Sequence, residues 1–209
     1  MDLNKLRGLI PDNVLAILPA GFAKYQINTE LRAAHFLAQS AHESGNFTLK
    51  TESTYYSTPE RIVKIWPTRF NMDGSGGLKN ANEYAKNPEK LAEAAYGNRA
   101  ELGNDQPGDG YRFRGAGFMQ ATGKAKYKGY ADYLGKSVGE AADLMRSIDY
   151  YALDSALWVF ATDKKLNPVA DTGPGDDVIT KVTKIINGGT HGLPERKANF
   201  RKFYGKKKK

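Results

Sequence analysis

Residues 29–45 read Thr29-Glu30-Leu31-Arg32-Ala33-Ala34-His35-Phe36-Leu37-Ala38-Gln39-Ser40-Ala41-His42-Glu43-Ser44-Gly45. Leu31, Ala34, Ala38 and Ala41 recur at helical spacing, which predicts an amphipathic helix over 29–42. Gly45 is placed to end it. Glu43 then falls in the last turn, where the negative end of the helix dipole disfavours another negative charge. A carboxyl group so placed suits a general acid, which must hold its proton until the reaction. A solvated glutamate at a helix end is the plain alternative.

Outward from this stretch the chain reads as mostly helical. Asp12 precedes 14–18, Thr58-Pro59-Glu60 precedes 62–66, and Asn87-Pro88-Glu89 precedes 91–96, each a start signal. Further helices are expected over 149–161, over 176–186 with Asn187-Gly188-Gly189 closing it, and from Pro194 to about Tyr204. Strand signals are few, and 47–50 with 54–57 form the candidate small hairpin. Two glycine-bearing loops remain, 71–80 and 97–117, and the second is too long for a mere connector. The expected fold is mainly α, a single catalytic domain over 1–205 followed by a basic tail, Lys206-Lys207-Lys208-Lys209.

Composition narrows the function. The 209 residues are 40% hydrophobic and 26% charged, a globular balance. Cysteine is absent, which excludes disulfide frameworks, zinc–thiolate sites, iron–sulfur clusters and thiol nucleophiles. The longest apolar stretch, 14–23, is interrupted by Pro19 and Gly21, so no membrane span is expected. No Sec export signal is visible over 1–13. Net charge is +8 and the sequence pI about 9.4. Such a surface suits a polyanionic partner (nucleic acid, anionic lipid or an acidic wall polymer) or serves solubility alone.

Candidate chemistry gathers in three places. Glu43 is the first. Glu52 is the second, and a chain folded back through Gly45-Asn46 sets the two carboxyl groups across a cleft lined by Tyr55 and Tyr56. A separated carboxyl pair with aromatic platforms is the equipment of glycoside hydrolysis, although two glutamates nine apart are common by chance. The third is 111–123, where glycines permit close backbone approach and Gln120 and Thr122 offer polar groups to sugar or water. This loop lacks the Gly-Lys-Ser/Thr of a phosphate loop and the Rossmann glycine spacing. Its Arg112 and Arg114 alternate with aromatics in a way that also suits base stacking. His35 and His42 have no third partner at metal spacing, so no metal site is expected. Asp105 and Asp109 read as turn formers rather than cation ligands, and Trp66 and Trp158 as core.

The run from Ala38 to Gly45, followed by Glu52-Ser53 and Tyr56-Ser57, resembles the catalytic region of glycoside hydrolase family 19, in particular its bacteriophage endolysin branch. Tyr96-Gly97-Asn98-Arg99, Gly108-Asp109-Gly110-Tyr111 with Arg114-Gly115, Gln120-Ala121-Thr122-Gly123 and Ile185 to Gly189 with Glu195-Arg196 follow in the family's order. The resemblance implies a lysozyme-like, two-lobed helical fold with a catalytic cleft. It implies Glu43 as general acid, Glu52 as general base and Thr122 as a holder of the attacking water. Gln120 and Asn187 match sugar-contacting positions, Arg196 a cleft arginine that pairs with the carboxylates, and Arg114, Tyr55 and Tyr56 are further candidate substrate contacts. Two departures stand out. Ala116 occupies a position where the family usually has arginine, a contact that falls to Arg112 or Arg114 if it is made. Tyr55 stands where asparagine commonly precedes the Tyr-Ser pair. The expected activity is inverting cleavage of the β-1,4 bonds of peptidoglycan glycan strands by a monomer without cofactor. The protein is expected to wait in the host cytoplasm until a holin-type pore opens the way to the periplasmic wall, with the lysine tail adhering to anionic membrane or wall polymer. A chitinase is the alternative enzyme, and a basic nucleic-acid or membrane-binding protein the alternative of another class.

Overall fold

A computed structural model of the chain describes residues 3–205. Among them are eleven α-helices and one sheet of two very short strands, so the mainly α expectation holds. The lysine tail at 206–209 lies outside the described residues. The chain forms two compact units, one of residues 3–50, 116–120 and 143–205, the other of 51–115 and 121–142.

The first unit is built on Glu30–Glu43. Thr29 Oγ1 accepts from the Arg32 backbone N–H at 3.2 Å, filling one of the partners a helix start lacks. The expected apolar stripe proves much wider, since Ala33 through Ala41 are all buried. The helix is enclosed: Leu193–Tyr204, Asp176–Asn187 and Asn167–Ala170 all pack on it. Its alanines suit both helix formation and close approach. Phe36 meets Phe22 and Phe160 edge-on, at centroid distances of 5.9 and 5.7 Å. Asp12–Lys24 runs straight through Pro19, beyond the predicted 14–18, because proline forfeits one hydrogen bond but keeps a helical φ. It packs on Asp149–Trp158, and a Cβ at Gly21 would stand 2.6 Å from Leu157 Cδ1. Asp149–Trp158 continues as a π-helical turn, Val159–Asp163, which buries Phe160.

The expected hairpin does not form. After Ser44 caps Glu30–Glu43, Gly45, Asn46 and Phe47 all take left-handed backbone, with φ of 55°, 60° and 64°. The Asn46 N–H returns to the Ala41 carbonyl at 2.7 Å, a Schellman closure. Ser44 Oγ then accepts from the Phe47 N–H at 2.8 Å, so 45–47 wind into a knot instead of a strand. The β1–β2 pair of the fold is Phe70–Asn71 with Lys79–Asn80, running parallel at the two ends of the predicted 71–80 loop.

The second unit gathers Ile62, Phe70, Ala81 and Leu91, with Tyr56, Trp66 and Tyr84 packed around them. Pro59–Ile65 and Pro88–Tyr96 start on proline as predicted, and Asn87 Oδ1 caps the latter by accepting from the Lys90 N–H at 3.0 Å. The long 97–117 loop carries a 3-10 turn, Ala100–Leu102, and a short helix, Asp109–Arg112, which packs on Pro88–Tyr96. Gly110 makes that approach possible, because a Cβ there would stand 2.6 Å from the Gly97 nitrogen. Lys124–Leu134 contributes buried Tyr127 and Tyr130, and Val138–Ser147 belongs to this unit as far as residue 142.

Candidate active site

In the first unit Glu43 closes its helix with the side chain 22% exposed. Arg196, from Leu193–Tyr204, donates through NH2 to Glu43 Oε1 at 2.5 Å. Arg196 is itself 1% exposed, so its other donors also need partners. NH1 donates to Gln39 Oε1 at 2.7 Å and Nε to the His191 carbonyl at 3.2 Å. Gln39 Nε2 donates to Thr183 Oγ1 at 3.1 Å, and Thr183 donates to the Ile179 carbonyl at 2.8 Å. Gln39 lies four residues before Glu43, on the same face of the helix. Glu43 thus ends a buried polar chain tying three helices together, with a full cation opposing the negative helix end. Asn187 Nδ2 donates to the same His191 carbonyl at 3.1 Å. His42 Nδ1 lies 2.9 Å from Glu195 Oε2, without hydrogen-bond alignment. The His42 ring covers Gly192, where any Cβ would collide with it.

In the second unit Glu52 is held by neutral donors. The Tyr96 hydroxyl donates to Oε1 at 2.7 Å and the Gly115 N–H to Oε2 at 3.2 Å. The Glu52 N–H donates to the Gly115 carbonyl at 2.8 Å, so backbone and side chain grip one residue. Burial first, and then Glu52, push the Tyr96 phenol far above its ordinary value, which keeps it a donor. Tyr56 is raised for the same two reasons, with Arg61 opposing. Arg114 Nε donates to the Glu52 carbonyl at 3.3 Å, and its guanidinium lies over the Tyr111 ring at 3.9 Å. Beyond Glu52 exposure alternates along the chain: Thr54 is buried, with its hydroxyl on the Pro88 carbonyl at 2.8 Å, and Tyr56 packs on Trp66. Ser53, Tyr55 and Ser57 face outward and, with Tyr56 and Arg61, line a depression of about 380 Å³.

A Haemophilus influenzae protein described as a glycosyl hydrolase family 19 domain-containing protein is 30% identical over 199 residues, spanning 94% of this chain and 90% of the relative. The chain belongs to glycoside hydrolase family 19. It is therefore a glycoside hydrolase, and the reading as a basic binding protein with incidental carboxyl groups gives way. A solved bacterial family 19 chitinase has the same fold, at TM-score 0.55 and 19% identity, with 97% of this chain and 90% of that chain covered. No protein-family model matches the sequence.

Within this family 19 chain the predicted residues fall into separate settings. Glu43, Arg196 and Asn187 meet around the His191 carbonyl. Glu52, Arg114, Tyr55 and Tyr56 share the second unit. Thr122 is half-buried in that unit, and its neighbour Gly123 donates its N–H to the Phe113 carbonyl at 2.8 Å, two residues from the Gly115 that grips Glu52. Gln120 belongs to the first unit, where its amide nitrogen donates to the Leu49 and Gly117 carbonyls at 3.3 and 3.0 Å. Ala116, the family departure, is fully buried, and the Arg112 guanidinium lies against Gly139. Asp109 forms a turn as expected, accepting from the Asp105 and Gln106 N–H groups at 3.2 and 3.0 Å and from Lys124 Nζ at 3.1 Å. No cluster of metal-ligating side chains occurs among the described residues. Gln39, Thr183 and Tyr96 join the site through contacts that the sequence reading does not anticipate. The signal for Gln39 was its place one helical turn before Glu43, and Tyr96 stood inside a quoted family motif.

Proposed function

We propose that this family 19 hydrolase is a peptidoglycan-degrading endolysin that cleaves β-1,4 bonds of the bacterial wall with inversion, for host-cell lysis. The observation that supports a two-carboxyl mechanism is that both side chains are fixed by donors, Glu43 by Arg196 and Glu52 by Tyr96 and Gly115, and the division into acid and base follows the family motif. Glu43 gives its proton to the leaving oxygen, and the Arg196 guanidinium compensates the carboxylate left behind. Glu52 takes a proton from the attacking water, its oxygens kept in place by Tyr96 and Gly115. The Thr122 hydroxyl orients that water. Inversion follows because a base acting through water, rather than a nucleophile, leaves no glycosyl-enzyme.

The choice of polymer rests on charge. A net +8 favours encounter with an anionic wall over neutral chitin. The protein acts as a monomer on the periplasmic face, after release from the host cytoplasm through a holin-type pore. The chitinase reading draws on the solved structure with the same fold, a bacterial family 19 chitinase.

The test is clearing of outer-membrane-permeabilised bacteria beside digestion of purified peptidoglycan and chitin oligosaccharides. Glu43→Gln keeps size and hydrogen bonding, and its turnover should fall by about 10²–10⁴-fold with the fold intact. The first-formed product should be the α-anomer by NMR. Clearing by Glu43→Gln at the wild-type rate refutes the acid, and turnover of chitin alone transfers the assignment to the chitinase.

A further inference from the structure

The outward depression beside Glu52 has a feature that neutral-sugar binding leaves unexplained. Its lining is Ser53, Tyr55, Tyr56, Ser57 and Arg61, and Arg61 is the one charged residue in it. Every other arginine among the described residues engages a carboxylate, a carbonyl or another side chain, as Arg32 does with Asp171 and Arg201 with Asp176. Arg61 has no hydrogen bond or ion pair within the described chain. Glu60, its exposed neighbour on Pro59–Ile65, pairs with neither Arg61 nor Lys64. Lys64, one turn on from Arg61, lines an adjoining hollow of about 290 Å³ with Arg61 and Ile65, and it too lacks an acidic partner. Two cations on one helix face, Arg61 in the depression and Lys64 in the adjoining hollow, thus have no acid answering them.

Arg61 and Lys64 are exposed, and what marks Arg61 out is its place in the lining of the depression beside Tyr56. Arg61 acts on the Tyr56 phenol, the same ring that feels Glu52, so the guanidinium and the base carboxylate bear on one side chain. Tyr55, also in the lining, follows Glu52 by three residues. Tyr55 is 55% exposed and offers a flat apolar face. A planar guanidinium with its fork unoccupied is matched to a carboxylate, which it can take through two parallel N–H···O bonds.

We infer that this depression is a carboxylate subsite, in which Arg61, backed by Lys64, holds an acid group of the peptide stems on peptidoglycan while Tyr55 supports the glycan. Arg61 is then a specificity-determining residue. Chitin carries no carboxylate and gains nothing from it, whereas each stem-bearing sugar of the wall presents one. This inference rests on the peptidoglycan reading and says which chemical group makes the wall polymer the preferred substrate.

The test compares two preparations of the same stem-bearing glycan strands, one with its acid groups free and one with them capped as neutral amides by carbodiimide and excess amine. The readout is the ratio of kcat/KM on free-acid to capped strands, for wild type, Arg61→Gln and Arg61→Lys. A guanidinium–carboxylate contact open to solvent predicts a fall of about three- to tenfold in that ratio for Arg61→Gln. Arg61→Lys should recover part of it, and added salt should shrink the wild-type preference. Thermal melts establish that each variant is folded. A wild-type enzyme that cleaves both preparations, with a ratio unchanged in Arg61→Gln, overturns the subsite alone. A wild-type enzyme that cleaves chitin oligosaccharides but neither preparation overturns the peptidoglycan reading and the subsite with it.

Discussion

Arg196 is a cation placed where almost no water reaches, and its three acceptors are what make that tolerable. Removing one tests the arrangement. Gln39→Leu keeps the volume but leaves Arg196 NH1 buried without an acceptor, which should lower stability by about 1–3 kcal/mol in urea unfolding. The same change frees Arg196 to swing away from Glu43, so kcat should fall more than KM rises. Restoring the acceptor with Gln39→Asn plus a bound water would not reproduce the reach, and recovery by that variant would refute the positioning role. At this scale the sequence was only partly readable. Glu43 and Glu52 stood in motifs and could be named. The buried chain through Gln39 and Thr183 joins residues 144 positions apart, and no local pattern announces such a contact.

Among the elements, start signals were the most legible. Thr29, Pro59 and Asn87-Pro88 mark helices because capping and fixed φ are local chemistry. The missed helices had weaker marks. Val138–Ser147 is preceded by a capping box, with the Ser137 N–H donating to Glu140 Oε2 at 2.9 Å and the Glu140 N–H to Ser137 Oγ at 3.2 Å. That Ser-x-x-Glu pattern was there to be read. Lys124–Leu134 buries tyrosines rather than aliphatic residues, which blurs its apolar period. The hairpin failed because three left-handed residues in a row are set by the helix closure before them, against the β propensity of Phe47 and Thr48. Gly192 shows the reverse dependence, an element start fixed by a neighbour. It begins Leu193–Tyr204 at φ 68° beneath the His42 ring. Gly192→Ala both strains that backbone and strikes His42, so it should lower stability by about 1–3 kcal/mol and displace the helix bearing Arg196. Calorimetry and turnover should fall together, whereas Gly189→Ala, with open space around it, serves as the silent control.

For the whole molecule, acid sensitivity follows from His35. It is fully buried, with Nε2 on the Gly173 carbonyl at 3.0 Å and its ring 4.4 Å from Phe200. Desolvation lowers its pKa from the ordinary 6.5, the Gly173 carbonyl opposing only in part. The unfolded chain therefore binds the proton more readily than the folded one. Stability from this group is complete above about pH 6.5 and declines as pH falls through and below that value. Urea midpoints across pH 5 to 7 should slope downward toward acid, and His35→Gln should flatten the slope; an unaltered slope removes His35 from the account. The first unit has one more property, its assembly from segments far apart in the chain. Glu43 and Arg196 are 153 residues apart, and domains tend to fold in the order their residues leave the ribosome. A nascent chain thus carries Glu43 long before the cation that holds it, and a product truncated ahead of residue 196 should show no turnover. The activity of this glycoside hydrolase is then gated by the ribosome's passage beyond Arg196.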